Sequence, residues 1–174
     1  MATVSTLKTS VRGVGARGRQ PYMVETTLDF SNSAINSLSA GDIVEAISVP
    51  ANTMVLTAGA EMIEAVQTGA DGNTVNLGFT GSGSQIGGTD VSGYVSNVDI
   101  DDNATNLSSG IGYLTPASTA ANPVICTAED TIDLELQATS TAPTAGKIRI
   151  FAVLMNIDSL GELGADEVDR DTLA

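Results

Sequence analysis

The chain has no histidine and a single cysteine, Cys126, and these two scarcities exclude much chemistry at once. Without imidazole there is no Ser-His-Asp or Cys-His arrangement, no common general base, and little prospect of a zinc site. One cysteine cannot form an internal disulfide, so a reducing compartment is permitted. Tryptophan is absent, and Phe and Tyr supply three residues each. Lys and Arg together number 7, too few for long surface helices, which draw on them for propensity and side-chain pairing. No stretch reaches the roughly 18 consecutive apolar residues of a membrane span. No apolar run follows the first basic residue as a signal peptide would require. These absences predict a soluble protein made in a cytosol, with no cofactor and no catalytic centre.

What is present points to strands. Thr, Ser, Val, Ile, Ala and Gly dominate, the composition of short strands joined by small-residue turns. A chain of 174 residues suits one domain and can bury about 70% of the surface its unfolded form exposes. Val24 to Phe30 alternates in part, and Ile43 to Val49 reads as a strand stopped by Pro50. Thr53 to Val66 reads as a long strand bent at Gly59. Asp71-Gly72-Asn73 is a turn, followed by an alternating run to Phe79, and Val91 to Ile100 forms a further strand. Ile132, Leu134 and Leu136 share one face of the stretch Thr131 to Gln137. Lys147 to Met155 follows across Pro143-Thr144-Ala145-Gly146, and the two stretches read as an antiparallel hairpin. From Phe151 onward the second of them is apolar on both faces, which calls for a second cover such as a neighbouring subunit. Seven or eight such strands predict an all-β chain: a single β-sandwich, jelly-roll-like, over residues 22–158. Residues 1–21 form a basic extended arm and residues 159–174 a loose acidic tail.

Charge divides the chain the same way. Residues 1–20 carry Lys8, Arg12, Arg17 and Arg19 and no acid, whereas everything after them nets −18, giving −14 for the whole chain. A body this acidic is repelled by nucleic acid and by anionic membranes. Four like charges on a glycine-spaced arm, opposite in sign to the body, suit contact with another protein's surface.

The acidic clusters are weak as sites. Asp99, Asp101 and Asp102 begin like a calcium loop, but the sixth and twelfth places hold Ala104 and Gly110 in place of Gly and Glu. An acidic turn is the better reading, with a weak calcium site left open. Asp133 and Glu135 lie two apart on one strand, with carboxylates about 7 Å apart. Their face is opposite the leucines, so both are expected in solvent with unperturbed titration. Glu61 and Glu64 could flank one another on a helix or loop. Gly81-Ser82-Gly83-Ser84 lacks the lysine of a phosphate loop. Cys126, in an apolar stretch without histidine, reads as a buried structural thiol.

The run Gly41-Asp42-Ile43-Val44-Glu45-Ala46-Ile47-Ser48-Val49-Pro50-Ala51-Asn52-Thr53-Met54-Val55-Leu56 with Gly59-Ala60-Glu61 resembles small structural proteins of tailed phages. So do Glu129 to Leu134 and the later Ala142-Pro143-Thr144-Ala145-Gly146-Lys147-Ile148-Arg149-Ile150-Phe151-Ala152-Val153. The pattern is similar to that of capsid decoration (cement) proteins. The resemblance implies a jelly-roll-like body, often trimeric, on the outside of an icosahedral head and bound to the major capsid protein. On this reading Lys8, Arg12, Arg17 and Arg19 form the capsid-binding arm, and Phe151, Val153 and Met155 face the other copies of a homotrimer. A head-fibre or tail-associated module that binds host surfaces or carbohydrate is the alternative from another class.

Overall fold

The computed structural model describes residues 3–4, 20–66, 73–80, 85–86, 90–100, 112–114, 123–138 and 142–157. Every regular element among them is a strand: β1 (Thr3–Val4), β2 (Tyr22–Asp29), β3 (Ile43–Val49), β4 (Thr53–Glu64), β5 (Thr74–Gly78), β6 (Gln85–Ile86), β7 (Val95–Asp99), β8 (Gly112–Leu114), β9 (Val124–Cys126), β10 (Asp130–Ala138) and β11 (Lys147–Asn156). Turn chemistry sets their limits. Pro50 ends β3 for want of an N–H, and Asn52, at φ 57°, takes the left-handed conformation that lets β4 start at once. After β2, the Asp29 carboxylate accepts the Ser31 N–H, and Asn36 N–H reaches the Asn32 carbonyl in one helical turn. That turn drops Ile35 and Leu38 into the core.

The strands form two sheets, ordered β1-β3-β10-β5-β7 and β2-β11-β4-β9-β6, with β8 also on β4. All pairings are antiparallel except that of β1 with β3. The pairs β2·β11, β3·β10, β4·β9 and β5·β7 nest inside one another along the sequence, as in one long antiparallel hairpin rolled up across two sheets. That is the jelly roll. The expected β-sandwich is thus observed, with small strands β1, β6 and β8 added to the eight of the roll.

The hairpin expected between Thr131–Gln137 and Lys147–Met155 does not form. β10 pairs with β3 and β5, whereas β11 pairs with β2 and β4 in the other sheet. The connection crosses the sandwich at Gly146, which has φ 98°. A Cβ there would lie 2.4 Å from the Val66 Cα, so the two backbones meet only because the residue is glycine. The Gly146 carbonyl also accepts the Phe30 N–H at 2.9 Å. By switching sheets, β10 and β11 set Ile132, Leu134 and Leu136 of one and Ile148, Ile150, Ala152 and Leu154 of the other into a single core.

The bend expected at Gly59 is also placed differently. β4 slips register against β11 between Thr57 and Val55 and again between Glu64 and Met62, so its irregularities sit at Leu56 and Ile63. Gly59 has another role: a Cβ on it would lie 2.7 Å from the Phe151 ring, which occupies the space above it. At the start of the chain, Thr3 and Val4 pair in parallel with Ile43 and Val44. Residues 5–19 and 158–174, and so most of the expected arm and tail, lie outside the described residues.

Candidate functional site

The outward face of the β2–β11–β4 sheet is divided into two halves. At one end a basic pair from β11 stands between acids of both neighbouring strands. Arg149 donates to the Glu61 carboxylate on β4 and approaches Glu25 on β2 at 3.9 Å. Lys147 lies 3.8 Å from Asp29 and 3.5 Å from Glu64. The register dictates this ladder, because Arg149 opposes Glu61 and Lys147 opposes both Asp29 and Glu64. Glu61 and Glu64 therefore lie on a strand, each bound to a different cation, and do not flank one another on a helix or loop. The Asp29 carboxyl is held below the usual range, chiefly by hydrogen bonds from Ser31 and then by Lys147.

At the other end the same face is apolar. Val153 opposes Met23 on β2, Met155 opposes Met54 on β4, and Met54 opposes Ile125 on β9. Directly opposed residues point the same way, so these side chains form one band across four strands. Phe151, Val153 and Met155 are half-buried, and Met23 is 63% exposed. Their neighbours Ile150, Ala152 and Leu154 point inward and are fully buried. The double apolar character of this strand is therefore one core face and one surface face. Between the two halves lies an open cavity of about 270 Å³ lined by Met23, Glu25, Glu61, Arg149 and Phe151.

The outward face of the other sheet corrects an expectation about Asp133. Asp133 is 1% exposed, and its carboxylate accepts the backbone N–H of Thr80 at 3.2 Å and the Thr80 hydroxyl. Burial raises its pKa to about 6, against the hydrogen bonds that lower it. Its β5 partner is Gly78, where a Cβ would be 2.0 Å from the Asp90 carbonyl oxygen. Thr80 and the Asp90–Val91 backbone thus come close against this face beside Asp133. Glu135, two residues on, is only half-buried and accepts Asn76 Nδ2 at 2.7 Å. Alternation identified the face, but only the tertiary contact with Thr80 decides that Asp133 is buried on it. The signal available in the sequence was Gly78 inside a strand pattern, between Leu77 and Phe79, a mark of close backbone approach.

The remaining expected sites are resolved in part. Cys126 is fully buried opposite Thr53, and burial pushes its thiol up to about 12. Asp99 ends β7 opposite Thr74, while Asp101 and Asp102 lie outside the described residues. Among the described residues, no three His, Cys, Asp or Glu side chains are grouped to hold a metal ion. Lys8, Arg12, Arg17 and Arg19 also lie outside the described residues.

No known family profile matches this chain, and no curated protein sequence matches it. Solved structures do. A chain in the capsid of Ralstonia phage GP4 superposes with a TM-score of 0.54 at 15% identity, over 89% of this chain and 98% of that one. A chain of the cyanophage Pam1 capsid asymmetric unit gives 0.54 at 14% identity, over 83% and 90%. The chain shares its fold, nearly from end to end, with these two chains of phage capsid structures.

Proposed function

We propose that this chain is a structural virion protein, a decoration or cement protein that binds the outside of a phage head and bridges neighbouring capsid subunits. The observation that supports it most is the match of almost the whole chain to single chains of two phage capsid structures. A protein in this role catalyses nothing and needs no cofactor. It adds binding free energy across joints between capsid subunits, and its effect grows with the number of contacts made at once. The parts of the chain fit these tasks. The apolar band around Phe151, Val153 and Met155 is the contact between copies of a homotrimer, and the arm bearing Lys8, Arg12, Arg17 and Arg19 docks on the major capsid protein. The acidic body keeps nucleic acid and anionic membranes away. The carbohydrate-binding alternative draws less support, because among the described aromatics Phe30, Phe79 and Tyr94 are buried, which leaves the half-buried Tyr22 and Phe151 to stack on a sugar.

Co-sedimentation with undecorated phage heads tests the proposal. The intact chain pellets with heads to saturation, and a variant with Lys8, Arg12, Arg17 and Arg19 all changed to Ser stays folded but binds poorly. Full occupancy by that variant removes the role given to the arm, and failure of the intact chain to bind any head removes the decoration reading. Val153→Asp, which sets a charge in the middle of the apolar band, lowers the mass measured by light scattering. An unchanged mass places the contact between copies elsewhere.

A further inference from the structure

The cavity where the apolar band meets the ladder of acids is a feature that the roles above leave unused. It measures about 270 Å³ and is lined by Met23, Glu25, Glu61, Arg149 and Phe151. Pockets for drug-sized ligands run from roughly 300 to 1,000 Å³, so this one suits a single side chain. Two carboxylates stand in it against one guanidinium, and its lining is net negative. We propose that this cavity is a socket for one lysine or arginine side chain of the capsid protein on which the chain docks. The inference rests on the decoration reading above and names the chemistry of the partner at a point of attachment separate from the arm.

Three observations support the socket. The first is the difference between its two acids. Glu61, with its side chain 11% exposed, takes the close hydrogen bond from Arg149. Glu25 is 50% exposed and stands 3.9 Å from the same guanidinium, beyond hydrogen-bond range, so its carboxylate keeps acceptor capacity for a second cation. The second is the apolar wall. Phe151 opposes Glu25 in the register of β11 and β2, and the tip of its ring lies over Gly59 on β4. The ring thus leans away from Glu25 and Met23 on β2. A basic side chain laid beside it sets its aliphatic stem against Phe151 and Met23 and its charged end at Glu25. Met23, unbranched and 63% exposed, adapts to the stem of either residue. The third is charge. Everything after residue 20 nets −18, so a surface that binds this body presents positive charge. Among the described residues the cations are Lys147 and Arg149, and each already stands between two acids of its own copy. The described body of a second copy therefore brings no further cation to the socket, and a different protein supplies it.

Binding of charge variants to undecorated phage heads, measured by co-sedimentation, tests the socket. Glu25→Gln and Glu25→Lys are compared with Glu64→Gln and Glu64→Lys. Glu64 is 59% exposed, pairs with Lys147 and does not line the cavity, so its variants make the same changes of net charge outside it. Glu25→Gln is expected to weaken binding about threefold to fivefold, the scale of an exposed ion pair. Glu25→Lys sets like charge against the incoming cation and weakens it more than about tenfold. Both Glu64 variants stay within about twofold of the natural chain, since charge outside the contact is screened by salt. Urea unfolding confirms that each variant folds, and the Gln pair decides the matter if Glu25→Lys does not. The socket is overturned if the Glu25 variants bind heads as tightly as their Glu64 counterparts. It is also overturned if Glu25→Gln lowers the mass measured by light scattering, because the cavity then belongs to the contact between copies. A natural chain that binds no head removes the decoration reading itself, an outcome distinct from equal binding by the variants.

Discussion

Asp133 makes the stability of this protein depend on pH in an unusual direction. Its folded pKa of about 6 stands above the ordinary carboxyl value of 3.8, because burial disfavours the charged form more than Thr80 stabilises it. Between those two values the folded state holds a proton that the unfolded state has released. Stability therefore rises on acidification, is gained as pH falls through about 6, and levels off below the unfolded value. Two pKa units correspond to about 3 kcal/mol at full ionisation. For a chain of this size that is roughly 6–12 °C in Tm. The net charge of −14 adds a contribution of the same sign, so the diagnostic quantity is the difference between the natural chain and Asp133→Asn. Asparagine cannot ionise, but its amide would meet the unpartnered side of the pocket, where Asp133 Oδ1 has no hydrogen-bond partner. An unsatisfied amide costs about 1–3 kcal/mol at every pH. Urea unfolding at intervals from pH 4 to pH 8 separates the two effects. The variant is the less stable at pH 4 and gains on the natural chain by about 3 kcal/mol toward pH 8. A difference that stays flat over this range, or moves the other way, would falsify the account of Asp133 as a buried acid.

Other substitutions probe the fold and the outer face. Gly146→Ala places a Cβ against the Val66 backbone at a left-handed φ; it costs more than about 2 kcal/mol by urea unfolding, and a loss under 0.5 removes the close-approach argument. Arg149→Met leaves the largely buried Glu61 without its cation and destabilises by about 1–3 kcal/mol. Glu25→Gln, which breaks only the long exposed pair, costs under about 0.5 kcal/mol, and equal losses from the two would show that burial of Glu61 does not matter. Cys126 stays unmodified by a thiol reagent at pH 8 in the folded protein and reacts stoichiometrically in denaturant, whereas rapid reaction in the native state contradicts its burial.

The sequence by itself determined that the chain is a β-sandwich, because composition and short-range alternation are local properties. Ile132, Leu134 and Leu136 must share a face whatever they pack against, and Pro50 must end a strand wherever that strand lies. The absence of histidine and the burial of Cys126 were legible for the same reason. Pairing partners were not, because a hairpin and a sheet-switching connection both show two alternating strands around a turn. Only the tertiary structure decided that β10 and β11 part company, through the contact of Gly146 with Val66. It also decided which surfaces are wet. Asp133 stands on a face that is polar in pattern yet is buried there, because Thr80 and the Asp90–Val91 backbone pack close to it. The face of Phe151, Val153 and Met155 is apolar in pattern yet partly exposed, because among the described residues no element packs over it. Alternation assigns a residue to a side of a sheet, and long-range packing settles what that side meets.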